Sequence, residues 1–250
     1  MKKLTIIYFL FSSVFTFSQG KIDFETFSMP IVTNYLYYGV GDAERTKGVK
    51  ELHITIEESK RQISYYFDMD NNLTKMNING GNEFREYHYE NGRIAFIESK
   101  SLNGSFKKPV IYNEKGQVFS HCDPGNVYGN NFYYYEYDDF GNITKMWSTR
   151  KDNLTKEELK NETPYNSYKY DDKQRLVEVK TSYSTETYEY KKFGNYLLVT
   201  KNYSYGGKKP SKSDFRYNEY GLLTDYRYVV DKNGNWIYHD TGVKRRVVYY

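Results

Sequence analysis

The sequence predicts an all-β protein, a repeat array of antiparallel β-hairpins that together form a curved sheet. Tyrosine accounts for 30 of the 250 residues, and aromatic side chains favour strands. Nearly the same phrase also recurs eight times between Tyr65 and Trp236. Its consensus is an aromatic residue, any residue, an aromatic, Asp or Asn, two spacers, Gly, any residue and an apolar residue, and the clearest copies begin at Tyr135 and Phe215. Such near-regular repetition indicates stacked copies of one supersecondary element.

Residues 1–18 have the pattern of a secretory signal peptide. Lys2 and Lys3 form a basic segment, residues 4–15 are mostly apolar, and Thr-Phe-Ser at 16–18 places small residues where signal peptidase cleaves. An uncleaved membrane anchor is the alternative, but the apolar stretch is interrupted by serines and is short for a span of about 20 residues. We therefore expect an exported protein, periplasmic or secreted, that does not span the membrane once the signal is removed.

The charge balance and the single cysteine restrict the function classes further. Removing residues 1–18 removes two lysines and no acids, so the formal net charge falls from +4 to +2. This balance argues against a nucleic-acid partner. Cys122 is the only cysteine and cannot form an intramolecular disulfide, so packing alone must stabilise the chain.

The remainder divides into a lead-in segment, residues 19–48, and a repeat domain, residues 49–250. The lead-in ends in the turn-rich stretch G-V-G-D-A-E-R-T-K-G, and strand-like sequence follows from Val49. Within the domain the phrases begin at Tyr65, Tyr87, Val110, Tyr135, Tyr168, Tyr188, Phe215 and Tyr228. Their starts are 22, 23, 25, 33, 20, 27 and 13 residues apart. A period of this length suits one hairpin per unit, so we expect one meander of about fourteen to eighteen strands.

Each phrase predicts the bend of a hairpin, as the copy Y-E-Y-D-D-F-G-N-I shows. Tyr135 and Tyr137 lie two apart and share a face of the incoming strand. Asp138 can accept a hydrogen bond from the backbone two residues on, and Gly141 can adopt a positive φ. Ile143 then begins the outgoing strand. Asn71 and Gln174 replace the glycine in the first and fifth copies.

The phrase resembles the YD repeats, or RHS repeats, of secreted bacterial and some animal cell-surface proteins, over roughly residues 60–240. The resemblance implies a β-hairpin array that can coil into a shell, which in large members encloses toxin or forms adhesive surfaces; some members are linked to carbohydrate binding. Eight hairpins are too few for a closed container. The stretch D-P-G-N-V-Y-G-N-N from Asp123 is only faintly similar to the family's self-cleavage motif, so no proteolytic role is carried over.

Loops 119–132 and 148–167 interrupt the array. In loop 148–167, Thr155 and Glu158 have the spacing of a capping box, which predicts a short helix.

Loop 119–132 contains His121, Cys122 and Asp123. A thiol beside an imidazole is the setting of a nucleophile, but neighbouring residues on an extended chain point to opposite faces. An incidental loop thiol is therefore favoured over catalysis or metal ligation.

No metal or cofactor site is expected from spacing. D-M-D-N-N at Asp68 begins like a calcium loop, but Leu73 and Asn79 stand where that loop requires Gly and Glu. His53, His88 and His239 lie far apart in the sequence without ligand spacing, which is typical of solvated strand histidines.

Most of the repeated tyrosines are expected to build cross-strand ladders. This structural group comprises Tyr65, Tyr135, Tyr137, Tyr168, Tyr170, Tyr188, Tyr190 and Tyr217. Trp147 and Trp236 lie at less regular positions and are the better ligand candidates, since aromatic faces can stack on sugar rings.

The leading functional prediction is a non-enzymatic exported scaffold that binds a glycan or a protein at the bacterial cell envelope. One alternative is an accessory or immunity partner of a larger repeat toxin. Another is a small hydrolase or autoprocessing enzyme that uses loop 119–132.

Overall fold

The computed structural model describes residues 23–28, 48–79, 83–101, 104–126, 129–219, 224, 228–230, 236–239 and 242–250. The predicted signal peptide and most of the lead-in segment lie outside these residues. The described residues form eighteen strands and one short helix, so the predicted all-β antiparallel class is confirmed. No helix in the described ranges is long and apolar enough to cross a membrane.

The strands follow one another closely along the chain. The first nine are β1 (Val49–Ile56), β2 (Arg61–Phe67), β3 (Leu73–Ile78), β4 (Glu83–Glu90), β5 (Arg93–Ser101), β6 (Gly104–Pro109), β7 (Ile111–Tyr112), β8 (Val118–Asn126) and β9 (Gly129–Tyr137). The next elements are β10 (Ile143–Thr149), α1 (Lys156–Lys160), β11 (Asn166–Tyr170), β12 (Leu176–Thr181), β13 (Ser184–Phe193) and β14 (Tyr196–Tyr205). The last are β15 (Ser211–Asn218), β16 (Tyr228–Val230), β17 (Trp236–His239) and β18 (Val243–Tyr249).

The strands form two nine-stranded sheets, where the sequence predicted one continuous meander. One sheet has the order β15-β14-β13-β12-β11-β10-β9-β8-β7 and is a pure meander. The other has the order β16-β17-β18-β1-β2-β3-β4-β5-β6, so the last three strands join it beside β1. β6, which ends at Pro109, is an edge strand of this second sheet. Proline has no N–H to donate to a further strand, and it is therefore found on edge strands.

The chain forms two compact units. Among the described residues, the first unit contains 23–28, 112–120, 131–219 and 224. The second contains 48–79, 83–101, 104–111, 121–126, 129–130 and the described residues from 228 onward. The predicted repeat domain, residues 49–250, spans both units.

The turn between β9 and β10 shows why the phrase contains Asp and Gly. Oδ1 of Asp138 accepts hydrogen bonds from the N–H of Phe140 at 2.9 Å and of Asn142 at 2.8 Å. Oδ2 accepts a third from the side-chain amide of Asn142 at 3.0 Å. Gly141 has a φ of +92°, which glycine adopts without steric cost. The predicted bond two residues on is confirmed, and the bonds to the fourth residue extend it.

The same turn recurs in three other copies of the phrase. The residue in the Asp place accepts the N–H four residues on at 2.8 to 2.9 Å, in the pairs Asp68 with Asn72, Asn113 with Gln117 and Asp171 with Arg175. Where glycine is absent, Asn71 and Gln174 take positive φ values of 68° and 62°. The turn is thus defined by its side-chain hydrogen bonds, which hold the left-handed residue even when it is not glycine.

The two aromatic positions of the phrase have different roles. The first is buried: Tyr65, Tyr87, Tyr135, Tyr168 and Tyr188 are each at most 9% exposed. The second donates its hydroxyl to the main-chain carbonyl of the apolar residue that ends the preceding phrase. This bond occurs from Tyr89 to Leu73 (3.0 Å), Tyr137 to Val118 (2.8 Å), Tyr170 to Ile143 (2.9 Å) and Tyr190 to Leu176 (2.7 Å).

We call this bond the inter-repeat tyrosine link. Burial raises the pKa of Tyr137 and of Tyr170 above that of an ordinary phenol, so both hydroxyls remain protonated donors. The eighth predicted structural tyrosine, Tyr217, packs against Phe27 with ring centroids 4.8 Å apart. The repeated tyrosines thus contribute buried rings, main-chain hydrogen bonds and ring packing to the fold.

We expect Tyr170→Phe to lower the free energy of unfolding by about 1 kcal/mol, because the carbonyl of Ile143 loses its hydrogen-bond donor while the ring is kept. Urea unfolding followed by circular dichroism measures this change. Tyr165→Phe is the control, since Tyr165 is 53% exposed, and we expect it to shift stability by less than about 0.5 kcal/mol. Equal effects of the two variants would contradict the role of the link.

The predicted capping box is confirmed at the start of α1. The N–H of Glu158 donates to Oγ1 of Thr155 at 3.3 Å, and the N–H of Thr155 donates to Oε2 of Glu158 at 2.8 Å. Leu159 on the same helix is buried and anchors it to the first unit.

Candidate functional site

A cleft lies at the end of the β14–β15 pair in the first unit, next to the turn from β13 to β14. Its volume is about 300 Å³, and it is lined by Asn195, Tyr196, Arg216, Asn218 and Thr224. We call it the β14–β15 cleft. A volume of this size lies at the lower end of the range of small-ligand sites, so it fits about one sugar ring with its substituents.

Strand register places these side chains together. Tyr196 pairs with Asn218 and Leu198 pairs with Arg216, and residues that are directly opposite share a face of the sheet. The intervening Leu197 points the other way and is 1% exposed. The alternation that buries Leu197 therefore places Tyr196 and Arg216 on the cleft side.

Tyr196, which lines the cleft, forms an aromatic pair with Phe193. Phe193 stacks on Tyr196 with ring centroids 5.5 Å apart and an interplanar angle of 18°. Phe193 is 45% exposed even though it is large and apolar. The repeat does not require an aromatic residue there, because Lys173 occupies the equivalent turn position in the fifth phrase.

The polar groups of the cleft combine hydrogen-bond donors and acceptors. Asn195 and Asn218 carry side-chain amides, and Arg216 carries a planar guanidinium that can bind a carboxylate through two bonds. Within the part of the chain that the structure describes, the exposed Arg216 side chain forms no ion pair. The five lining residues include no carboxylate, imidazole or thiol. The arrangement can hold a polar ring ligand by stacking and hydrogen bonding.

The structure places the two tryptophans predicted as ligand candidates in different units. Trp147 lies on β10, is 6% exposed, and donates its Nε1–H to the carbonyl of Glu162 at 3.1 Å. The buried ring has no free face on which a sugar could stack in this conformation. Trp236 begins β17 and pairs with Val230; its side chain lies outside the described features. Ligand binding by either tryptophan stays a prediction.

The predicted loop candidates His121, Cys122 and Asp123 lie on β8, so this part of the expected loop is a strand. His121 and Cys122 are 2% and 4% exposed, which gives no open route to a substrate. Burial lowers the pKa of His121 to about 3, aided by the nearby charge of Arg85. The imidazole is therefore neutral at physiological pH. The side chain of Asp123 lies outside the described features.

Sequence reasoning missed Phe193, Tyr196 and Arg216. The sequence signal that could have found Phe193 is an aromatic residue at the variable spacer position just before the glycine of the phrase. Phe140 and Phe193 occupy this position and are 64% and 45% exposed.

Sequence reasoning also missed a cluster on β4 and β5, where His88 lies close to Glu86 and Glu98. Spacing along the chain gave no sign of this cluster, because the strand pairing brings Glu98 into place.

Comparison with known proteins adds no relative: no family model and no curated protein matches this chain.

Proposed function

We propose that the protein is a non-enzymatic exported scaffold that binds a glycan at the bacterial cell envelope through the β14–β15 cleft. The observation that carries the proposal is Tyr196, which lines the cleft together with Arg216 and carries the exposed ring of Phe193 stacked on it. Aromatic faces with adjacent amide and guanidinium donors suit a sugar, which has apolar C–H faces and polar edges. Export follows from the signal-like residues 1–18.

The scaffold supports this role by holding the cleft on paired strands. β14 is paired with β13 along ten residues and with β15 along eight. Sites built on paired strands lose less conformational freedom on binding than sites on free loops. The glycan can therefore bind to a surface that needs little rearrangement.

The test is a glycan array with the chain that lacks its predicted signal peptide, residues 19–250, followed by calorimetry with the best ligand. We expect Phe193→Ala to weaken binding about tenfold, since stacking contributes on the order of 1 kcal/mol. Arg216→Ala should weaken binding by a similar factor.

Phe140→Ala is the matched control. Phe140 is also exposed, at 64%, and occupies the same turn position of another phrase. Of the two phenylalanines, only Phe193 stacks on the cleft residue Tyr196, so affinity should be unchanged in Phe140→Ala. The proposal fails if no glycan is retained, or if Phe140→Ala and Phe193→Ala weaken binding equally. A blank array combined with capture of one large repeat protein from envelope extract would instead favour the accessory or immunity role.

A further inference from the structure

Three metal-ligating side chains meet on one face of the second unit, remote from the β14–β15 cleft in sequence. They are Glu86, His88 and Glu98, and their ligand atoms all lie within 4.8 Å of one another. Glu86 and His88 are two apart on β4 and share a face. Glu98 on β5 pairs directly with Glu86. The register of the sheet therefore brings two carboxylates and one imidazole close together.

The imidazole of His88 is held in a fixed orientation. Its ring stacks on Phe96 with centroids 4.2 Å apart and an interplanar angle of 17°. Nε2 lies 3.9 Å from Oε2 of Glu98. This nitrogen is shielded from solvent and makes no hydrogen bond, while the side chain as a whole is 40% exposed. A shielded ring nitrogen without a hydrogen bond is unfavourable, and coordination of a cation would satisfy it.

His53 in the same sheet provides the contrast. Its Nδ1 bonds to Oγ of Ser64 at 2.8 Å, and its Nε2 bonds to Glu51 at 2.9 Å. Both ring nitrogens are satisfied by protein groups. His53 also stands beside a glutamate, but it is a fully hydrogen-bonded structural histidine.

The two carboxylates of the cluster are balanced by lysines at its rim. Nζ of Lys75 lies 3.6 Å from Oε1 of Glu86, and Nζ of Lys100 lies 3.1 Å from Oε1 of Glu98. The two lysine side chains are 39% and 46% exposed, so their flexible stems can turn toward solvent. A divalent ion between the carboxylates would supply the same positive charge at shorter range.

We propose that Glu86, His88 and Glu98 bind one divalent transition-metal ion of the zinc type. One imidazole and two carboxylates are ligands that zinc accepts, and three protein ligands leave a fourth position for water or a partner group. Calcium and magnesium prefer sites made of oxygen ligands alone, so the histidine selects against them. This site is independent of the proposed glycan binding.

Calorimetric titration of the purified protein with zinc chloride tests the site. We expect one ion per chain, and we expect His88→Ala to weaken zinc binding at least about tenfold. Glu98→Gln keeps the side-chain shape and should produce a similar loss. Zinc should also raise the Tm of the wild-type protein, because a ligand that binds the folded state stabilises it. At the same zinc concentration it should raise the Tm of His88→Ala by clearly less.

His53→Ala is the matched control and should bind zinc as tightly as the wild type. The proposal is overturned if the wild type binds no zinc, if His53→Ala loses as much affinity as His88→Ala, or if Glu98→Gln binds zinc normally.

Discussion

Replacing Met146 by alanine is expected to lower the free energy of unfolding by about 3 kcal/mol, because it removes a buried side chain and leaves a cavity. Met146 is 0% exposed. It pairs with Tyr135 on one side and with Asn166 on the other, in a strand with neighbours on both edges. Because the neighbouring strands are held by pairing, they cannot easily move into the cavity, and the full loss of stability is expected. Denaturant unfolding measures the change, with the wild type and the variant fitted to the same dependence of unfolding free energy on denaturant concentration.

Met69→Ala is the control, since the same atoms are removed from a turn residue that is 85% exposed. We expect a change within about 0.5 kcal/mol. A loss below 1 kcal/mol for Met146→Ala would mean that the neighbourhood of β10 repacks freely, contrary to the burial described here.

The second large effect is a loss of stability in acid that originates at His121. Burial holds the pKa of this imidazole at about 3, against an ordinary value of 6.5. Between these values the unfolded chain binds one more proton than the folded protein. The free energy of unfolding therefore falls as the pH decreases through this window, and the contribution of His121 to stability is fully present only above it. From pH 7 to pH 5 the expected loss is about 2 kcal/mol. Most carboxylates remain ionised in that interval and contribute little.

Unfolding free energies of the wild type and of His121→Gln at pH 7, 6 and 5 test this origin. Glutamine does not titrate, so the variant should show a nearly flat profile over the same interval, whatever its stability at pH 7. A wild-type profile that is flat, or a variant profile as steep as that of the wild type, would assign the acid sensitivity to other groups.

The hairpins and their turns could be predicted from the sequence because the information is local. Asp138 and Gly141 stand at fixed positions within one phrase, and the bonds that they favour close within five residues. Thr155 and Glu158 specify the start of α1 in the same way. The division into two sheets was not predictable from the phrases, because it depends on which strands pair over long sequence distances, such as β18 with β1.

The candidate sites were harder to predict, since they depend on which face of a strand is covered. Trp147 looked available because it stood outside the regular positions, but it is buried and donates a hydrogen bond to Glu162. Phe193 looked like a turn spacer, but it is exposed and stacks on Tyr196. The relation of His88 to Glu98 arises from strand register across the β4–β5 hairpin, and register is not specified by residue spacing alone.

The inter-repeat tyrosine link has a consequence for how such a chain can evolve. The acceptor is a main-chain carbonyl, so the residue that carries it is free to vary, as Leu73, Val118 and Ile143 do. The units that begin at Tyr135 and Tyr168 each bring a tyrosine for the unit before and offer a carbonyl to the unit after. A gene duplication that copies one unit of roughly 20 to 25 residues therefore copies both halves of the connection. Array length can change by whole units while a single side chain type remains under selection.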